Sequence, residues 1–302
     1  MDMKGFFNWL NKTKVFRDLS PQEFSWVLYD VGNSAYTMLA CSLIPIWFKD
    51  LAIGTAPGQI TGDQATAYYS IAISVVTVIV ALLGPILGAL ADRKESKKIF
   101  FQTTVAAGVI GCVLNSFTWS WMLFLIVYVL TKVFYQASLT FYDSMLNDVT
   151  TEERMDQVSS YGYAWGYIGS CIPFIIAMVA YILSGGLSES LMLFSPLVGK
   201  IIGFGVTAIW WLLVTLPLLR NYQQKNYVEH IHTTVGQVFK KIFGTLKKIA
   251  VKDKKVLFFL IAFFLYIDGV GTIIDNCINI GTDLGLPTVG QVVFLLATQV
   301  VA

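Results

Sequence analysis

Gly84-Pro85-Ile86-Leu87-Gly88-Ala89-Leu90-Ala91-Asp92-Arg93-Lys94-Glu95-Ser96-Lys97-Lys98 decides how this chain is read. Its first eight residues close an apolar run that begins near residue 67, and the next seven hold four cations. About 20 apolar residues in a helix span the hydrocarbon core of a bilayer. Clusters of Lys and Arg stay on the cytoplasmic side. The stretch is therefore the inner end of a membrane crossing, and the rest of the chain repeats the alternation. Seventeen of the 21 Lys and Arg residues fall in residues 4–17, 93–98 and 220–255. Arg154 falls in a further inner loop, Lys49 and Lys200 fall in outer loops, and Lys132 sits inside an apolar run.

Composition agrees. Apolar residues make up 56% of the 302 and charged residues 13%, against about 25% charged in soluble domains. A large soluble core would show many apolar runs of about 10–14 residues, whereas these reach the length of a span. The net charge of +2 argues against a nucleic-acid partner. No nucleophile elbow, phosphate loop, HExxH or CxxC pair occurs, so the reading is not an enzyme and needs no cofactor or metal. Cys41, Cys112, Cys171 and Cys277 all fall in apolar runs and read as small buried hydrophobes. His230 and His232 stand alone in a solvated stretch, too few to hold a metal. Residues 1–20 lack an apolar signal-peptide core; Phe6, Phe7, Trp9 and Leu10 suggest a segment lying at the interface.

Hydropathy places spans at about 24–48, 67–91, 99–117, 121–142, 159–183, 199–219 and 256–280, with an eighth beginning near 288. The N-terminus and the loops after the second, fourth and sixth spans are inside. The loop after the fourth is acidic around Arg154 (Asp148, Glu152, Glu153, Asp156), but acids contribute little to orientation. Trp119 and Trp121 sit at an outer turn, where amphipathic rings favour the interface. The chain stops at Ala302 inside the eighth run, where a free carboxylate would be costly. A longer chain with more crossings is the expectation. Residues 1–23 then form a cytoplasmic interfacial terminus and 24–219 a six-helix bundle. Residues 220–255 form an inner linker, and 256–302 begin a second bundle. In the linker, Val235, Val238, Phe239, Ile242, Phe243, Leu246 and Ile249 share one helical face, and Lys240, Lys241, Lys247 and Lys248 lie off it. Such a helix rests on anionic lipids at the inner surface.

The opening stretch resembles the signature loop of the major facilitator superfamily: a Gly, three residues, then Asp-Arg and more cations between helices two and three. Glu95 and Ser96 depart from it, standing where Gly and Arg are usual. Gly88 would let helices approach closely, and Asp92 would accept from a neighbouring helix N-terminus. Arg93, Lys97 and Lys98 would hold the loop at the inner surface. Three more stretches narrow the resemblance. They are Trp26-Val27-Leu28-Tyr29-Asp30-Val31-Gly32-Asn33-Ser34-Ala35-Tyr36, Phe141-Tyr142-Asp143-Ser144-Met145-Leu146-Asn147-Asp148 with Val158-Ser159-Ser160-Tyr161-Gly162-Tyr163-Ala164-Trp165-Gly166 after it, and Leu265-Tyr266-Ile267-Asp268-Gly269. Together they resemble the vacuole-effluxer-like branch, which includes a fungal vacuolar amino-acid effluxer and bacterial permeases of unassigned substrate. The resemblance implies an all-α polytopic membrane protein of the major facilitator fold. This chain would supply the six-helix N-terminal half and the start of the C-terminal half, in a bacterial cell membrane or, in a fungus, the vacuolar one. It also implies a central cavity lined by helices one, four and seven.

Ionisable residues at membrane depth are candidate functional groups. Counted from the expected inner ends at about 1.5 Å per residue, Asp30 lies roughly 10 Å deep, Lys132 roughly 16 Å and Asp268 about 18 Å. Asp275 lies nearer the outer surface. Lys132 shares a helical face with Tyr128, Tyr135, Gln136 and Tyr142. A buried lysine needs a carboxylate, and Asp30 or Asp268 is the expected partner, with substrate or a proton competing for it. A structural ion pair that merely ties helices together is the plainer reading. Asn33, Ser34, Asn276 and Asn279 add neutral hydrogen-bonding groups, and Gly32 and Gly269 adjoin the acids. Gly162, Gly166 and Ser170 recur every four residues as a packing face. The function expected is secondary transport of a small polar solute, an amino acid first by resemblance, with protons as the coupling ion. Tyr29, Tyr36, Tyr128, Tyr135 and Tyr266 would equally suit a sugar or drug permease. A non-transporting receptor or scaffold would instead pair its buried charges permanently.

Overall fold

A computed structural model of the chain describes residues 18–228 and 235–301. The interfacial segment expected around Phe6 to Leu10, and His230 and His232, lie outside the described residues. Ten α-helices are described: α1 Pro21–Cys41, α2 Leu43–Ala52, α3 Gly62–Ala91, α4 Ser96–Asn115, α5 Trp121–Val149, α6 Met155–Tyr181, α7 Pro196–Asn221, α8 Val235–Lys252, α9 Lys254–Asp283 and α10 Thr288–Val301. Seven stretches, the first of them α1 and α2 together, are long and apolar enough to cross a membrane. α10 is a shorter apolar helix. The chain is an integral, multi-pass, all-α membrane protein.

Local chemistry sets the helix ends. Ser20 opens α1 with a capping box: its hydroxyl accepts from Glu23 N–H, and the Glu23 carboxylate accepts from Ser20 N–H at 2.7 Å. Thr61 and Gln64 repeat the device at α3. These reciprocal bonds satisfy two donors that a helix start leaves orphaned. The first span is not one straight rod. It breaks at Ser42 (φ −119°, ψ −77°), three residues before Pro45. Proline has no N–H to give to the carbonyl four residues back, here that of Cys41. The Cys277 thiol of α9 donates to that carbonyl instead, at 3.1 Å.

α1 is the axis of the bundle. It packs against α6 on one side and α7 on the other, while α3 and α4 pack on α5. Tyr29, Tyr36 and Val27 of α1 are fully buried. Rings fill the contacts: Trp26 stacks on Tyr142 at 4.3 Å, and Tyr36 lies 4.9 Å from Tyr135 and 5.5 Å from Trp211. The small-residue face of α6 allows the close approach. A Cβ on Gly166 would sit 2.8 Å from Ser34 Oγ and 3.4 Å from the Asp30 carbonyl. α9, by contrast, presents nearly its whole surface outward, with only Ile278, Asn279 and Gly281 buried.

Among the described residues, nothing lies within 4 Å of where a Cβ on Gly88 would be. The Asp92 side chain is exposed. Its backbone carbonyl, not its carboxylate, is engaged, accepting from Val228 N–H at 2.8 Å. Glu95 takes the left-handed conformation (φ +59°). The turn is thus made despite the missing glycine, at the strain that a Cβ imposes there. In α8, Val238, Phe239 and Ile242 are half-buried and the four lysines are exposed.

Two outcomes follow for thermal unfolding in detergent. Glu95→Gly removes the left-handed strain but frees the unfolded chain, for a net gain of about 0.5–1 kcal/mol. Gly166→Leu drives α1 and α6 apart and costs about 1–3 kcal/mol. An unchanged melt for Gly166→Leu would mean that the two helices do not touch as described.

Candidate functional site

A cavity of about 790 Å³ lies between α1, α5, α6, α9 and α10. On α1, Asp30, Asn33, Ser34, Thr37 and Cys41 recur at helical spacing and form its floor. α5 adds Tyr135, Tyr142 and Asp143, and α6 adds Ser159, Tyr163 and Tyr167. Ile273, Ile274 and Cys277 of α9 and Leu295, Thr298 and Gln299 of α10 close the far wall. By topology the cavity runs from Cys41 and Cys277 near the outer ends to Leu146 and Ser159 near the inner ends.

The polar groups are held by a short network. Asn33 Nδ2 donates to Asp30 Oδ1 at 3.0 Å and to the Tyr29 carbonyl at 3.3 Å. Tyr135 OH donates to Asn33 Oδ1 at 3.4 Å and shares a 2.6 Å bond with Thr37 Oγ1. Tyr29 OH and Ser138 Oγ bond at 2.8 Å beneath it. Trp26 Nε1 donates to the Tyr142 carbonyl at 3.1 Å, which locks the stacked ring pair. Asp30 is therefore fixed through one oxygen, while among the described residues its Oδ2 accepts no hydrogen bond.

Lys132 does not pair with Asp30 or with Asp268. Its Nζ lies 2.5 Å from Asp275 Oδ1, with both side chains largely removed from solvent. The reason is register. α5 runs to Val149, about two turns further inward than its hydropathy suggested. Lys132 consequently sits nearer the outer side, level with Asp275. Asp268, two turns inward on α9, is exposed and does not line the cavity. Gln136 is half-buried on α5 and also lies outside the lining. Beside the ion pair, Ser70 Oγ donates to Asn276 Oδ1 at 3.3 Å, and Cys277 reaches the Cys41 carbonyl. Three consecutive residues of α9 thus contact α5, α3 and α1. Tyr128, stacked on Tyr69, is the aromatic neighbour of Lys132.

A second polar cluster lies at the inner face, where the cations of the signature loop were expected to hold the loop at the inner surface. Lys97 is instead buried and donates to Asp148 Oδ2 at 2.8 Å and to the Ser144 carbonyl at 3.0 Å. Asp148 also accepts from Tyr222 OH at 2.5 Å and from the Lys225 and Asn226 N–H groups at 3.2 and 2.8 Å. Gln224 Nε2 donates to the Ala91 and Arg93 carbonyls. The strand of chain after α7 therefore ties α3, α4 and α5 together. Arg93 is exposed and Lys98 half-buried. Arg154 pairs with Glu23 (Nε to Oε1, 2.9 Å) and also caps the Asp18 carbonyl.

Asp143, Thr37, Tyr163 and Tyr167 were not singled out as site residues from sequence. Asp143 was hidden because the fourth span was ended at Tyr142. Its spacing of 11 residues from Lys132, three helical turns, was the signal available.

A polytopic helical membrane protein whose first-half helices enclose a polar, aromatic cavity with α9 is the class these features define. The chain belongs to the vacuole effluxer Atg22-like family, whose family model matches residues 21–302. It is 39% identical over 292 residues to an uncharacterized MFS-type transporter, YxiO of Bacillus subtilis (strain 168). That alignment covers 95% of this chain and 66% of the relative, so the chain spans about two thirds of the relative's length. No solved structure matches.

Asp148→Asn leaves the buried Lys97 ammonium without its counter-charge. The expected cost is about 3 kcal/mol in a detergent melt, largely recovered when Lys97→Met is added. Equal melts for the single and double variants would show that the two side chains do not interact.

Proposed function

We propose that this protein is a secondary-active transporter, not an enzyme, that moves a small polar solute by alternating access, with an amino acid the first candidate. The observation that carries this reading is the cavity built jointly by α1, α5 and α6 of the first bundle and by α9 and α10. A site shared between two bundles is what rocking of one against the other exposes to either side. The Lys132–Asp275 pair and its two neighbouring contacts are the contacts that would have to part for the outer side to open. The family description, a vacuole effluxer, and the relative's printed name support the same reading. In the bacterial cell membrane, α8 would lie on anionic headgroups through its exposed lysines.

Coupling to protons is assigned to Asp30. Among the described residues no cation pairs with it, and the titratable groups facing it are Asp143, Tyr142 and Tyr135 on α5 and Tyr163 and Tyr167 on α6. Uptake of radiolabelled amino acids into proteoliposomes, with and without an imposed pH gradient, tests the proposal. Asp30→Asn should abolish the response to the gradient. Gradient-driven uptake by Asp30→Asn equal to wild type would remove Asp30 from coupling. Absence of any solute flux would leave the protein a receptor or scaffold.

A further inference from the structure

We infer that the cavity selects its solute through a protonated amine, held between Asp30 and Asp143 and walled by aromatic rings, and that its described residues offer no counterpart for a solute carboxylate. The inference rests on the transport reading for its biological use, but the binding claim stands on the cavity alone.

Charge comes first. Asp30 and Asp143 both line the cavity and lie close enough for their charges to repel. Among the described residues no Lys, Arg or His lines it. Lys132, the cation nearest in sequence to the lining residues of α5, is consumed by Asp275. A carboxylate entering here would meet two like charges, and an ammonium would meet two opposite ones.

A second observation is independent of the acids. Tyr142 is 3% exposed, lines the cavity, and its hydroxyl has no hydrogen-bond partner among the described residues. A buried hydroxyl without a partner costs about 1–3 kcal/mol. The hydroxyl lies beside Asp30. The Cβ position of Gly162 is 3.1 Å from Asp30 Oδ2 and 3.5 Å from Tyr142 OH. Asp30 Oδ2 is the carboxylate oxygen that Asn33 leaves free. Two acceptors thus converge where α6 presents a glycine instead of a side chain. An ammonium offers three donors and no acceptor, which suits that pair together with Asp143. Trp26, Tyr142, Tyr163 and Tyr167 supply ring faces, which attract a cation that has shed its water. The remaining lining, Met38, Leu139, Ile273, Ile274 and Leu295, is apolar and accommodates the body of the solute.

The solute class is therefore an organic amine with an apolar or aromatic body. An amino acid would be bound through its amino group and hindered by its carboxylate.

Isothermal titration of the purified full chain in detergent, with four matched probes, tests this. Tyramine carries the amine alone, tyrosine the amine and carboxylate, 3-(4-hydroxyphenyl)propionate the carboxylate alone, and 4-ethylphenol neither. Tyramine should bind about tenfold more tightly than tyrosine, and the two probes without an amine should not bind measurably. Asp143→Asn, at an exposed position whose fold does not depend on it, should weaken tyramine about tenfold, and Tyr142→Phe about threefold. The inference is overturned if the propionate or 4-ethylphenol binds as well as tyramine, if tyrosine binds best, or if Asp143→Asn leaves tyramine affinity unchanged. Proteoliposome flux separates the two levels. Tyramine binding without flux contradicts transport and keeps the amine site, and flux of an amine-free solute does the reverse.

Discussion

One ion pair between two helices, Lys132 with Asp275, sets the arrangement of everything around it. A lysine at membrane depth is costly unless paired, and a pair in low dielectric repays desolvation only with good geometry. Here the contact is direct, at 2.5 Å. It fixes the rotation of α9, which otherwise buries little. With the rotation fixed, Asn276 and Cys277 fall against α3 and α1. The same pairing decides the charge of the cavity. Because Lys132 is spent on Asp275, Asp30 has no cation partner among the described residues and keeps a free oxygen. Had the lysine reached Asp30, that carboxylate would have been neutralised and Asp143 left as the unpaired acid of the cavity.

The inner face obeys a different logic. There, cations of the signature loop turn inward as well as outward. Lys97 and the backbone after α7 converge on Asp148, so that one carboxylate receives donors from α4, from Tyr222 and from Lys225 and Asn226. Asp148, one of the acids around Arg154, is thus a structural acceptor. Glu23 plays the same part for Arg154. The outer contacts are few and depend on one charge pair, whereas the inner ones are many and share acceptors.

Much of this was legible in the residues. Apolar runs and clustered cations fixed the crossings because lipid leaves no other place for either. The stripe Asp30, Asn33, Ser34 marked the cavity face of α1, since polar groups at helical spacing inside a span must look inward. Gly162 and Gly166 marked the face that α1 packs against. Partners across helices were not legible. Hydropathy ended the fourth span at its first acid, although α5 continues to Val149, and this hid Asp143 and misplaced Lys132 in depth. Asp268 and Asp275 stand seven residues apart on one face of α9, so periodicity could not choose between them; only the relative heights of α5 and α9 do. The Glu95 turn shows the converse, a conformation kept although the residue that favours it is absent.

A double-mutant cycle on Lys132→Met and Asp275→Asn, read as unfolding free energy in detergent, tests the central pairing most directly. The account predicts that the two single costs are strongly non-additive, with a coupling of about 2 kcal/mol or more, since removing either partner strands the other. Costs that add to within about 0.5 kcal/mol would contradict it.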